Sequence, residues 1–362
     1  MIRMSALIQE ATASIQPVSR DFHARAQLAL DHLTKPVGSL GRLEELAAQY
    51  VAISQELPPV MPQPMIVTLA ADHGVACEGV SAYPSSVTAQ MVLNFLNGGA
   101  AINVLAKQVD ATIRVVDMGV ETNLGAHPNL LVHKIGNGTN NFSHGPAMNR
   151  EQALQSIEVG IRLARDAYAD GFRVIGLGEM GIGNTTASSA IAAVMMGQSV
   201  AGVTGKGTGV DDARLAKKIQ VIEKSIQLNQ PDANDPVDVL AKVGGFEIGG
   251  LVGLIVGGAA CRIPVVLDGF ISGAAMLLAK TLVPACQDYV IPSHCSAESG
   301  HRRILEYLGL RPLFDLDLRL GEGTGACLAI GLVQASLACL RDMATFDSAG
   351  VDGAEASMSE SV

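Results

Sequence analysis

Phe172-Arg173-Val174-Ile175-Gly176-Leu177-Gly178-Glu179-Met180-Gly181-Ile182-Gly183-Asn184-Thr185-Thr186 is the stretch whose reading decides the fold. A short β-branched run ends on a carboxylate. A glycine-rich turn follows, and then the small-residue helical segment 184–200. Runs at 65–71, 111–119, 264–269 and 288–293 repeat the pattern, each closing on Asp, Glu, Ser or Gly. Helix-like segments at 86–107, 150–170, 184–200, 211–228, 247–261 and 270–280 separate them. Strands alternating with helices of this length predict an α/β fold with a doubly wound parallel sheet. Ligands in such folds bind outside the carboxyl ends of the strands, so the polar residues after each strand face a cleft.

The rest of the chain agrees with an enzyme of this class. Its 362 residues are 48% apolar and 17% charged, enough for one large or two modest domains with a sizeable core. The net charge is −10 with no basic stripe, which sets nucleic acid aside as a partner. Six cysteines are scattered without a CxxC pair and read as reduced thiols of a cytoplasmic protein. The first residues lack a continuous apolar segment, so no signal peptide is expected. The apolar run Ile248–Cys261 is shorter than the ~20 residues of a membrane span and reads as a buried helix. Residues 1–55 read as polar helices around a turn at 35–41, with Ser39 as a cap, and Pro58, Pro59, Pro62 and Pro64 mark a linker. A helix at 298–309, an apolar helix at 326–340 and an acidic, Ser-rich tail complete the chain.

Two glycine-flanked carboxylates stand out: Glu322 in Leu320-Gly-Glu-Gly-Thr-Gly-Ala326, and Glu179 before Gly181, Gly183, Asn184 and Thr185. Glycine lets backbone approach a ligand closely. Gly176–Gly181 also matches GxGxxG, but no acid follows at the end of a next strand, and Glu179 would repel a pyrophosphate. A loop binding one phosphate or a sugar at a helix start remains open. Thr204–Gly209 fails as a Walker loop, because Gly207 stands where Ser or Thr is required. The Ser293–His301 segment holds His294, Cys295, Glu298 and His301, yet not at a zinc spacing. No metal is expected, and Ser293 and Ser296 read instead as anion-holding residues of a strand-to-helix turn. Asp72-His73-Gly74 reads as a pair bracing a turn, with acid–base work as the alternative.

Taken in order, Lys35–Glu44, Ala71–Val75, Gly178–Thr186, Thr204–Asp212, Gly244–Gly250, Asp268–Gly273, Ser293–His301 and Arg319–Gly325 resemble the nicotinate-nucleotide:dimethylbenzimidazole phosphoribosyltransferase family of the cobalamin lower-ligand pathway. The resemblance runs over roughly residues 30–340. It implies a Rossmann-like three-layer α/β/α domain at 61–319, a small helical domain from both chain ends (1–60 and 320–345), and a homodimer. The tail at 346–362 lies outside it and reads as disordered. It implies Glu322 as general base, Glu179 as stabiliser of a cationic sugar, and Lys218 as the active-site lysine, with Lys217 the near alternative. Ser86, Met180 and Leu320 become candidate walls for a flat acceptor ring. The implied substrates are nicotinate mononucleotide and a benzimidazole base, with no cofactor. The implied reaction transfers phosphoribosyl to give α-ribazole 5′-phosphate and nicotinate. The alternatives are a dinucleotide-dependent oxidoreductase built on Gly176–Gly181 and a non-catalytic nucleotide-binding protein; the natural acceptor base stays open.

Overall fold

Pro64–Ala71, the first strand (β1), is apolar except for Thr68 and buried at every residue, as suits a central parallel strand with both faces covered. In the computed structural model, which describes residues 4–207, 209 and 211–352, it sits in the middle of a six-stranded sheet. The other strands are β2 (Thr112–Gly119), β3 (Leu130–Val132), β4 (Val174–Met180), β5 (Val265–Leu267) and β6 (Val290–Pro292). Their order is β3-β2-β1-β4-β5-β6, and every pairing is parallel. The chain winds outward from β1 to β3, then returns to β4 and winds the other way. The order reverses between β1 and β4, where a doubly wound sheet opens a crevice for ligand.

The five runs expected as strands all form. β3 was not expected, because three residues show no readable alternation. The segment expected as one helix at 86–107 is two, Ser86–Leu96 and Ala101–Gln108, parted at Asn97-Gly98-Gly99 with Gly98 at φ 77°. Helix Pro236–Val243 was also not foreseen; Asp235 caps it and a proline opens it.

The run Ile248–Cys261 lies in helix Phe246–Ala260, packed against helix Arg150–Ala169. Their backbones come so close that a Cβ on Gly253 would lie 2.0 Å from the Ile157 carbonyl oxygen, and one on Gly160 2.0 Å from that of Gly250. Gly249, Gly253 and Gly257 therefore serve helix contact, while Gly250 and Gly258 face the sheet at Leu69 and Val265. One helix among the described residues, Thr324–Asp342, is long and apolar enough to cross a membrane, but more than half of that stretch is buried in the protein. Its Ala326 and Ile330 reach toward Gly176 of β4, as a core helix would.

Two compact units divide the chain. The larger comprises residues 1–17 and 63–330 and carries the sheet; helix Ala6–Ser14 and residues 320–330 belong to it. The smaller comprises 18–62 and 331–362. In it, Lys35 and Glu44 form a buried ion pair at 2.8 Å. Helix Arg42–Ser54 takes no side-chain cap from Ser39 as expected; Glu44 reaches back instead to accept the Leu40 N–H at 2.9 Å. Of the tail expected to be disordered, Phe346–Ala349 is a helical turn capped by Thr345, and 353–362 lie outside the described residues.

Candidate active site

β4 delivers Glu179 to the carboxyl edge of the sheet, beside the switch point. The turn Gly181-Ile182-Gly183 follows, with Gly183 at φ 100°, and helix Asn184–Met196 begins. Asn184 Nδ2 donates to Glu179 Oε2 across this turn.

Glu322 arrives on a loop laid over the end of β4. Its φ is 65°, between Gly321 at 82° and Gly323 at 94°. A left-handed backbone at a non-glycine residue costs of order 1–3 kcal/mol and persists only where the surroundings enforce it. Three hydrogen bonds enforce it here. The Glu322 N–H donates to the Glu179 carbonyl at 3.3 Å. Thr68 Oγ1 donates to the Glu322 carbonyl at 3.1 Å. The Ile102 N–H, in the first turn of helix Ala101–Gln108, donates to Glu322 Oε2 at 3.3 Å. Gly178 leaves room for the loop, since a Cβ there would lie 2.3 Å from the Glu322 carbonyl oxygen.

A narrow cleft of about 90 Å³ opens beside Glu179. Residues after three strand ends line it: Asn184 and Thr185 after β4, Asp268 and Phe270 after β5, His294, Ser296 and Glu298 after β6. Arg319, Leu320 and Gly321 form one edge. The starts of helices Asn184–Met196 and Phe270–Leu282 both open into it, presenting backbone N–H groups and positive dipole ends. The start of helix Thr324–Asp342 is closed, because Asp268 Oδ1 accepts the N–H groups of Gly325 at 2.7 Å and Ala326 at 3.0 Å.

The site is acidic and largely buried. Burial pushes the Glu179 carboxyl up to about 8, helped by the charges of Asp268, Glu247 and Glu322 and opposed by the Asn184 hydrogen bond. Burial likewise lifts Asp268 to about 7, although the N–H groups of Ala326, Gly325 and Gly323 favour its ionised form. Glu322 is 4% exposed, and burial raises it against the Ile102 N–H. Such a cluster prefers to receive positive charge.

A stability prediction follows with its sign. Ordinary values for these two carboxyls are 4.5 and 3.8, so the folded state holds protons at a pH where the unfolded chain has lost them. Stability therefore falls as pH rises from about 4 to 8. Glu179→Gln keeps an acceptor for Asn184 and removes one ionisation. Its Tm is expected to lie above the parent's at pH 9 and near it at pH 5. Thermal melts at both pH values check this, and a difference that does not widen with pH contradicts it.

Lys218 is 1% exposed, donates to Thr185 Oγ1 at 2.8 Å, and is lowered to about 8 by burial, against the opposing charge of Glu298. Glu298 is raised by burial, with Lys218 countering. Lys217 is exposed, so Lys218 is the lysine behind the cleft.

Of the residues named from sequence, Glu179, Met180, Gly181, Asn184, Thr185, Ser296 and Leu320 line the cleft together. Gly183 lines a small adjoining cavity with Lys206 and Gly207. Others stand elsewhere. Ser293 is fully buried and donates to the Asp268 carbonyl at 2.9 Å, bracing the wall without reaching the cleft. Ser86 is exposed on the first turn of helix Ser86–Leu96; from that helix Thr88 Oγ1 accepts the Ile182 N–H at 3.1 Å. The Glu322 carboxylate turns to Ile102 and is not on the cleft wall. The oxidoreductase alternative loses its basis, since Gly176 and Gly178 lie within β4 and make room for Ile330 and the Glu322 loop. His294 Nδ1 pairs with Ser293 Oγ and His301 Nδ1 accepts the Ser296 N–H, both at 2.9 Å. Among the described residues no group of three His, Cys, Asp or Glu could hold a metal ion. The motifs that contain Asp268 and Glu298 give neither residue a role in the site; their position just past strand ends is the available signal.

Comparison with known proteins agrees with this geometry. Residues 15–351 match the model of a phosphoribosyltransferase family, DBI_PRT. A nicotinate-nucleotide–dimethylbenzimidazole phosphoribosyltransferase of Roseiflexus sp. (strain RS-1) is 58% identical, the match covering 96% of this chain and 98% of that protein. The protein of the same name from Geobacter metallireducens is 55% identical over 96% of this chain and 98% of its own. The crystal structure of CobT from Thermus thermophilus superposes with a TM-score of 0.87 at 46% identity, covering 92% of this chain and 99% of that one. On the match over residues 15–351 and on these relatives, the chain belongs to the nicotinate-nucleotide–dimethylbenzimidazole phosphoribosyltransferase family.

Proposed function

We propose that this chain transfers the phosphoribosyl group of nicotinate mononucleotide to 5,6-dimethylbenzimidazole, releasing nicotinate and forming α-ribazole 5′-phosphate. The observation that carries this reading is the hydrogen bond from the Glu322 N–H to the Glu179 carbonyl, which holds two carboxylate-bearing residues together at the end of β4. One serves each side of a single reacting carbon.

The mononucleotide occupies the cleft beside Glu179. Its 5′-phosphate is drawn to the two helix starts. Its pyridinium is already cationic, so nicotinate leaves on a neutral ring nitrogen and needs little acid assistance. Positive charge spreads to the sugar as the bond breaks, and Glu179, drawn into its ionised form, stabilises it. The acceptor attacks through its lone-pair nitrogen, with Met180 and Leu320 as walls. Its second nitrogen acidifies as the new bond forms, and the Glu322 carboxylate, turning from the Ile102 N–H toward the acceptor, takes that proton. Holding two flat rings on opposite faces of one carbon is chiefly a positioning task. Attack opposite the leaving group inverts that carbon to the α-riboside.

A homodimer and a cytoplasmic location belong to this reading; all six cysteines are free, as a reducing compartment would keep them. The test is incubation of the purified protein with both substrates in EDTA. Equimolar nicotinate and ribosylated base are expected. Absence of nicotinate release contradicts the proposal.

A further inference from the structure

His73 and Glu247 meet in the interior below the cleft. His73 Nε2 and Glu247 Oε1 are 2.6 Å apart, and both side chains are fully enclosed. His73 follows the end of β1, and Glu247 lies in the first turn of helix Phe246–Ala260, where the dipole favours a negative charge. The imidazole lies against the Glu179 turn. A Cβ on Gly181 would lie 3.2 Å from His73 Cδ2, and one on Gly183 3.2 Å from His73 Cβ. Gly245 closes the pair from the other side, with only 2.4 Å between its would-be Cβ and His73 Cε1. A buried pair of this kind is costly unless well bonded, and removing one partner strands the other. The transfer steps above use neither residue.

We propose that His73 and Glu247 form a positioning pair for the transfer: they support the Gly181–Gly183 turn beneath Glu179 and Asn184, and they hold a fixed negative charge behind Glu179. This rests on the phosphoribosyl-transfer reading. The charged groups facing Glu179 are Asp268 from the end of β5, Glu247 from helix Phe246–Ala260, and Glu322 from its loop; Asn184 is the neutral donor. Asp72, beside His73, has its Oδ2 taken by the Glu121 N–H at 2.8 Å. Asp268 lines the cleft and Glu322 is the proposed base, so Glu247 is the carboxylate whose effect on Glu179 can be altered without changing a group at the reacting centre. Both residues act through the turn and touch no substrate.

The experiment measures kcat and KM for nicotinate mononucleotide from pH 5.5 to 9.5 in the full-length parent, Glu247→Gln and His73→Gln. Glu247→Gln keeps the shape and removes the charge. Its kcat is expected to fall about tenfold with KM within about twofold, as misalignment of a reacting geometry does. With less negative charge behind Glu179, the acid limb of its kcat profile should move to lower pH. Glu247→Asp, which restores the charge, should return the limb toward the parent's. A Glu247→Gln profile that superimposes on the parent's overturns the proposal. Should Glu247→Gln fail to fold, His73→Gln decides: its amide still donates to Glu247, but the ring under Gly181 is gone. Reduced kcat at unchanged KM supports the pair, and unchanged kcat, or a loss confined to KM, overturns it. A parent without turnover would instead overturn the transfer reading itself.

Discussion

Glu322→Gln is expected to lower kcat by about 10²–10⁴, the usual contribution of a positioned general base, while KM for nicotinate mononucleotide changes little. The amide oxygen still accepts the Ile102 N–H, and the loop keeps its two backbone anchors at Thr68 and Glu179, so the fold is retained. What is lost, in the proposed reaction, is the group that accepts the ring proton. The same burial that raises Glu322 above the ordinary carboxylate range brings its basicity nearer to neutral pH, where a general base works best. Steady-state kinetics with a matched thermal melt check this. Full turnover in the variant removes Glu322 from the role of base.

Gly178→Ala is expected to lower kcat by about 10² with the carboxylates chemically untouched. The new Cβ would meet the Glu322 carbonyl oxygen at 2.3 Å and its carbon at 2.8 Å, so the loop must lift from β4. The Thr68 bond to that carbonyl and the Glu322 N–H bond to Glu179 lie at the contact and stretch first. A displacement near 1 Å costs about a hundredfold in rate when reacting groups must align. Overpacking at such a site costs about 1–3 kcal/mol of stability, which a denaturant titration would register. Parental kinetics in a folded Gly178→Ala protein would mean that the loop does not position Glu322.

Much of this molecule was legible in its residues, for identifiable reasons. The central strands announce themselves because a parallel strand buried on both faces reads as a nearly continuous apolar run, as Met65–Ala71 does but for Thr68. Glu322 announces itself because three successive left-handed residues demand glycine at two of the three positions. Asn97-Gly98-Gly99 carried the signal for the break in the helix pair at 86–108, which the longer helical reading passed over. Other features leave no local trace. Asp268 closes the start of a helix more than fifty residues further on, and His73 pairs with Glu247 across 174 residues; only the folded sheet brings such groups together. Ser293 looked like an anion-binding serine and turns inward, because the carbonyl of Asp268 lies within reach of its hydroxyl. The alternation of apolar runs with helical segments set the class of fold, while the site arose where the strand ends converge.

The central claim is a single displacement at the anomeric carbon between Glu179 and Glu322. The most direct measurement is the anomeric configuration of the ribosylated product, read by proton NMR after reaction of purified protein with nicotinate mononucleotide and dimethylbenzimidazole. The account predicts the α-riboside 5′-phosphate alone, formed in step with nicotinate. A β-riboside, or a mixture of anomers, would contradict it.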